Sequence, residues 1–239
     1  AAKAGCEYAV LETSSHALDQ YRVWGIPYAI AVITNVTREH LDYHETMAGY
    51  RIAKRKLFSM AQQAVINLDM EDPEYFRGHS KQPTIFYSTK DPNAHLFAQK
   101  IGLDFKGTEF MVDDTPFHLN IPGLFNIENA LAALGVARLL AIDFSVTAEA
   151  LASVSGVPGR MELVPNAKNA DIIIDYAVTP DAFEKLYASI LPLKIPGTKI
   201  IHVFGACGER DRGKRPMLGE IASGYADIVI LTNEDPYHE

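Results

Sequence analysis

Short apolar runs rich in β-branched residues alternate with longer amphipathic stretches along this chain of 239 residues. EYAVLE (7–12), AIAVITN (29–35) and the runs at 63–68 and 84–89 read as strands. They are nearly continuous in apolar residues, as strands covered on both faces are. Helical periodicity places helices over about 46–60 and 126–141, and a short capped helix over VTAEALASV (146–154). From about 95 to 121 the pattern turns β-like. After VSGVPGR (154–160) strand and helix alternate again: ADIIIDYA, TPDAFEKLYASIL, KIIHVFGA, KRPMLGEIASGYA and DIVILTN. Successive strand–helix–strand units predict a doubly wound, mostly parallel α/β sheet. The Pro158-Gly159 pair marks a hinge, so two domains are expected, 1–155 and 156–239.

The helix over 46–60 carries the first chemical signal. Met47, Tyr50, Ala53, Leu57 and Met60 form one apolar stripe, and Lys54 falls about 40° from Tyr50, inside it. Arg51, Arg55 and Lys56 project away from its centre, as solvated charges do. A lysine in this position either snorkels along apolar surface or has a depressed pKa that makes it a nucleophilic amine. Such an amine can take up carbon dioxide as a carbamate, an oxygen donor suited to Mg²⁺. Ligands collect beyond the carboxyl ends of parallel strands, which places Glu12 and His40 near one rim on the side of Lys54. Together the three make a possible Mg²⁺ site with open positions for phosphate oxygens. A surface glutamate and a capping histidine are the plain alternatives. His40 and His44 in HLDYH also have a zinc-pair spacing, but 41–44 reads as loop and no glutamate stands where a hydrolase would need one.

Composition narrows the classes. The chain is 48% hydrophobic and 22% charged, enough for a sizeable core in one or two domains. A net charge of −8 excludes a general nucleic-acid binder. Two cysteines, Cys6 and Cys207, make no disulfide framework and suit a reducing cytoplasm. No apolar run reaches membrane-spanning length, and no leader pattern is present.

Six blocks occur in an order that resembles the Mur ligases: ETSSHALDQYRVWG, NVTREHLDYHETMAGYRIAKRKLF, GLFNIENALAALGVA, VPGRMELV, DYAVTPDAFEKLYASI and GACGERDRGKRPMLGEIASGYADIVILTNEDP. The likeness covers nearly the whole chain and is greatest to the branch that adds the third amino acid to UDP-N-acetylmuramoyl-dipeptide. It implies part of a central ATPase domain, a mostly parallel sheet with helices and a small β-rich section, followed by a truncated Rossmann-like C-terminal domain. It implies a cytoplasmic, ATP- and Mg²⁺-dependent ligase acting on UDP-N-acetylmuramoyl-dipeptide and a free amino acid through an acyl phosphate. The family's Gly-Lys-Thr phosphate loop is not found; Gly213-Lys214 is followed by Arg215. An internal segment of a longer enzyme is therefore expected, inactive by itself. A related amide ligase (MurF, folylpolyglutamate synthase or cyanophycin synthetase type) and a non-catalytic ligase-like binding protein remain as alternatives.

The resemblance also carries roles. Glu12 and His40 match magnesium ligands and Lys54 the lysine carbamylated in the family. Ser14, Gln20 and Arg22 match positions that hold the muramoyl-dipeptide, where a guanidinium offers a bidentate contact. Asn129 matches an adenine contact, Arg160 a phosphate contact and Asp175 a ribose- or phosphate-side contact. Asn126 and Asn129 also suit the N-cap of their helix. Val178 stands where related ligases have histidine in DYAHTPD. Arg210 matches a contact to the incoming amino acid. Glu234, Asp235, Pro236 and Tyr237 replace the DNPR of diaminopimelate-adding ligases, so a basic amino acid such as lysine is expected, since two carboxylates favour an ammonium and Tyr237 has no cationic fork.

Overall fold

The computed structural model describes residues 2–81, 83–168, 170–209 and 211–238. Four parallel strands, β1 (Tyr28–Ile33), β2 (Ala61–Asn67), β3 (Thr84–Ser88) and β4 (Leu96–Phe97), lie in sequence order in one sheet. Strands β1, β2 and β3 split their apolar residues between two cores. Ala31 and Ile33 of β1, Ala64 and Ile66 of β2 and Phe86 of β3 pack on one face with Tyr50 and Phe58 of helix α3 (Met47–Met60). Ile30, Val32, Val65, Ile85 and Tyr87 face the other way, against helix α4 (Leu124–Leu139). Burial on both faces is why these strands read as continuous apolar runs. On α4, Ile127, Leu131 and Leu134 are fully buried. Gly135 lets the helix come close, since a Cβ there would lie 2.5 Å from Val65 Cγ1.

The β-like stretch folds as a three-stranded antiparallel sheet, β5 (Gln99–Asp104), β6 (Gly107–Val112) and β7 (Thr115–Leu119). Asp113 and Asp114 join β6 to β7 with φ of 48° and 63°, the backbone of a two-residue I′ hairpin, which aspartate tolerates better than most residues. Helix α5 (Phe144–Ser153) begins earlier than expected, because Asp143 caps it by accepting from Ser145 N.

Three expectations are corrected. Residues 7–12 join no ladder, and Val10 is 99% exposed. Strand propensity is realised only against a partner, and β1 is hydrogen-bonded to β2 alone. ADIIIDYA forms only the short strand β9 (Ile173–Ile174), antiparallel to β8 (Glu162–Leu163), rather than joining the last strands. Asn126 is no N-cap: α4 starts at Leu124, and Asn126 Nδ2 donates to Pro122 O at 2.7 Å.

Helix α6 (Pro180–Ile190) follows, with Pro180 in its first turn and Thr179 capping Ala182 N. Strand β10 (Ile201–Phe204), helix α7 (Lys214–Tyr225) and strand β11 (Ile228–Leu231) complete the chain, β10 and β11 running parallel. Phe183, Leu218 and Ala222 form a small core under one face of that pair, while Ile201, Val203, Ile228 and Ile230 stand exposed.

A half-buried histidine ties this core together. Tyr187 Oη and His202 Nδ1 share a hydrogen bond of 2.6 Å, the tyrosine donating when the neutral imidazole carries its proton on Nε2. Phe183 and Phe204 flank the ring, and Tyr225, itself bonded to Glu184, stacks on Tyr187. Burial pushes the tyrosine up to about 12 and lowers the histidine. With its folded pKa below its unfolded value, His202 stays neutral longer in the native state. Its contribution is fully present above pH ~6.5 and is lost as pH falls through the lower, folded value. Thermal unfolding followed from pH 7.5 to 5 should therefore show a steeper fall in Tm for the parent than for His202→Phe. Equal slopes would refute the assignment.

Candidate functional site

Two short helices pack against α3, the helix that carries Lys54. Helix α1 (Ser15–Asp19) is capped by Ser14, whose Oγ accepts from Ala17 N at 3.2 Å. A single turn, α2 (Leu41–His44), forms where a loop was expected. His40 precedes it in left-handed backbone, φ 57°, a conformation asparagine and histidine tolerate better than most residues. That kink sets the histidine ring toward α1 and α3: His16 meets His40 at 4.8 Å between centroids, and His40 meets Tyr50 at 6.0 Å. His44 turns instead to the buried Ser15, Nε2 to Oγ 2.9 Å. Asp19 binds Lys56 Nζ at 2.7 Å and Tyr43 Oη at 3.1 Å, fastening α1 to α3 and α2.

Lys54 Nζ sits 5.1 Å from the centroid of the Tyr50 ring, one turn earlier on α3. The inward placement read from helical period is therefore realised. Burial lowers its pKa, against the opposing charges of Glu39 and Glu12. His40 is lowered as well, first by burial, then by neighbours that include His16 and Lys54, with Glu39 opposing. Glu12 is exposed on the unpaired segment ahead of α1, within electrostatic reach of Lys54. Among the described residues, no three His, Cys, Asp or Glu side chains converge to hold a metal ion. A Mg²⁺ set here depends on Lys54 supplying an oxygen. Glu39, adjacent to His40 in sequence, is the neighbour that the sequence reading passed over.

Gln20 and Arg22 pair at the C-terminal end of α1, while Ser14 caps its other end. Arg22 Nε and Nη2 both donate to Gln20 Oε1, at 2.9 and 2.6 Å. All three side chains are exposed, so the guanidinium is pre-oriented but open.

Arg160 and Asp175 are also neighbours. Asp175 accepts from Met161 N at 2.8 Å, burial raises its pKa, and the Arg160 charge opposes that rise. Arg160 lies over the Tyr176 ring, and Tyr176 N donates to Gly159 O, so the expected hinge is tied to the segment around β9. Asn129 is exposed on α4 and donates to Asn126 Oδ1 at 3.3 Å. Val178 is half-buried just ahead of the α6 cap.

The loops after β10 and β11 lie side by side. Gly208 N donates to Asp235 O at 3.0 Å. A Cβ on Gly208 would fall 2.2 Å from Pro236 O, and one on Gly205 would fall 2.8 Å from Glu234 Cβ. Glu234, Asp235 and Tyr237 are exposed there, whereas Arg210 lies outside the described residues.

The comparisons with known proteins agree with this geometry. Residues 1–137 match the Mur ligase middle domain, and residues 159–239 match the Mur ligase, glutamate ligase domain. The chain belongs to the Mur ligase family. The UDP-N-acetylmuramoyl-L-alanyl-D-glutamate–2,6-diaminopimelate ligase of Trichormus variabilis is 39% identical, over 100% of this chain and 50% of its own length. That of Caldanaerobacter subterraneus is 41% identical, over 98% and 49%. A UDP-N-acetylmuramyl-tripeptide synthetase of Roseiflexus sp. is 40% identical, over 98% and 50%. The chain thus spans about half the length of the curated relatives it matches. A solved 2,6-diaminopimelate ligase superposes with a TM-score of 0.71 at 32% identity, over 98% of this chain and 50% of its own. MurF from Acinetobacter baumannii superposes at 0.73 with 20% identity, over 86% and 47%, a likeness of fold alone. In Mur ligase terms, the Lys54 corner lies in the middle-domain match. Arg160, Asp175 and the paired loops lie in the C-terminal match. Among the described residues no helix is long and apolar enough to cross a membrane.

Proposed function

We propose that this chain is the catalytic middle and C-terminal part of a cytoplasmic, ATP-dependent ligase that adds the third amino acid to UDP-N-acetylmuramoyl-L-Ala-D-Glu, dividing near residue 155. The single observation that carries the reading is Lys54: a lysine with lowered pKa beside Tyr50, His40 and Glu12, in a chain whose relatives bear that activity in their names.

Glu12, His40 and carbamylated Lys54 would hold Mg²⁺, the last with a carbamate oxygen. Bound magnesium supplies charge neutralisation for phosphoryl transfer. The protein's own part is positioning. Ser14, Gln20 and Arg22 hold the muramoyl-dipeptide, Arg22 gripping a carboxylate or phosphate through its fork. That places the D-glutamyl carboxylate to attack the γ-phosphate, forming an acyl phosphate and releasing ADP. Asn129, Arg160 and Asp175 hold the nucleotide, the arginine on its phosphates. Arg210, Glu234, Asp235 and Tyr237 orient the free amino acid, whose α-amine displaces phosphate.

The amino acid is the finer point. Glu234 and Asp235 suit a distal ammonium, and Tyr237 offers no guanidinium for a distal carboxylate. We infer a basic amino acid such as lysine, although the relatives named above include ligases of 2,6-diaminopimelate. In a competition assay on the full-length protein with UDP-N-acetylmuramoyl-dipeptide, ATP and both amino acids, the lysyl product should exceed the diaminopimelyl one by about tenfold. A preference for diaminopimelate would sink the amino-acid assignment, and absence of any tripeptide product would sink the ligase reading.

A further inference from the structure

The loop between β1 and α3 carries His40, and the C-terminal part of the chain touches it twice. Asn35 Nδ2, directly after β1, donates to Asp181 Oδ2 in the first turn of α6 at 3.2 Å. Three residues on, Arg38 reaches the turn before α7: a Cβ on Gly213 would lie 3.6 Å from Arg38 Nη2. Thr34, the residue before Asn35, is held from the opposite side, because Asn67 Nδ2 at the end of β2 donates to Thr34 O at 3.0 Å. The base of the His40 loop is therefore clamped between the parallel sheet and α6.

The clamp is part of a close interface. A Cβ added to Gly123 at the start of α4 would lie 3.2 Å from Ser189 Oγ of α6, so the helix that reaches Asn35 is also seated on α4. Asp181 is itself steadied by Lys185 one helical turn on, Nζ to Oδ2 3.3 Å. Asn35 and Asp181 are both half-buried, where an amide-to-carboxylate hydrogen bond is stronger than on an open surface. No local rule of strand or loop geometry requires Asn35 to point at a helix 146 residues away.

We propose that Asp181 is a positioning residue: by holding Asn35 it makes the seating of the C-terminal part on α4 set the conformation of the loop that presents His40. Seating of one half of the molecule is thereby coupled to order at the metal-binding corner of the other, through a discrete contact. The value of this coupling to catalysis rests on the function proposed above; the ordering of the loop does not.

Hydrogen exchange followed by mass spectrometry on the 239-residue chain reads that ordering directly. Asp181→Ala should raise exchange in peptides covering 34–45 about tenfold, leaving peptides from β2 and β3 unchanged. Asp181→Asn keeps an oxygen acceptor for Asn35 and should restore protection. Lys185→Ala, which removes only the ion pair, should leave the loop near the parent level. Should Asp181→Ala fold poorly, Asn35→Ala must reproduce the loosening from the other side of the bond. Parent-like exchange of 34–45 in both alanine variants overturns the proposal, as does loosening of equal size in Lys185→Ala. If the loop loosens but the full-length protein makes no tripeptide, the positioning holds and the ligase reading is the one that fails.

Discussion

Lys54→Ala in the full-length protein should lower ligase turnover by at least about 10³-fold, the scale on which removal of one preorganised electrostatic group acts. The argument starts from the side chain's environment. Burial beside Tyr50 disfavours the ammonium, so more of the amine is neutral at a given pH than on a free lysine. A neutral amine adds to carbon dioxide and releases one proton, leaving an N-carboxylate. The carbamate then places negative charge in a corner where burial disfavours the charged form of His40. Lys54→Arg should fail as completely as alanine, because guanidinium stays charged and forms no carbamate. The chemistry has its own readout in the 239-residue chain. With ¹³C-bicarbonate, a carbamate carbon resonance should appear, grow as pH rises through the lowered lysine pKa, and vanish in Lys54→Ala. Full turnover in the alanine variant without added bicarbonate would refute the role. A carbamate signal unchanged by the substitution would refute the site.

What the sequence revealed in advance divides along physical lines. Lys54 was legible because helical period is local: four residues from Tyr50 place it on the same face whatever lies opposite. The parallel strands were legible for a similar reason, since Ala31 and Ile33 face one core and Ile30 and Val32 the other, leaving no polar alternation. Residues 7–12 were read as a strand because propensity does not specify a partner, and in the structure they have none among the described residues. Asn126 was read as a possible cap because the start of α4 is set by its neighbours: the chain turns at Gly123, φ 104°, and the asparagine reaches back to Pro122 O. Asn35 gave no signal at all. Its partner, Asp181, is 146 residues distant, and such pairings are decided by the packing of one half on the other. The nearness of Gln20 and Arg22 lay between these cases, local enough to propose from sequence, while the two hydrogen bonds from Arg22 to Gln20 emerged only with the fold.

Gly208→Ala should damage amino-acid binding selectively. The glycine is required by approach: its added Cβ would meet Pro236 O at 2.2 Å and Pro236 C at 2.7 Å. These are backbone atoms, so no flexible side-chain end can swing aside. Either the Gly208 N to Asp235 O bond of 3.0 Å breaks or the 234–237 segment moves outward, and each outcome displaces Glu234, Asp235 and Tyr237 from the loop after β10. Overpacking of this kind costs about 1–3 kcal/mol, which corresponds to a rise of roughly tenfold or more in the KM for the amino acid. The Lys54 corner and the Ser14–Arg22 loop are built from other elements, so KM for ATP and for the muramoyl-dipeptide should stay within about twofold of the parent. Gly219→Ala on α7, where an added Cβ meets nothing within 4 Å, serves as the control and should leave all three constants near the parent values. An unchanged amino-acid KM in Gly208→Ala would show that the two loops do not act as one site; a parallel rise in all three constants would show that the substitution disturbs the fold rather than the pocket.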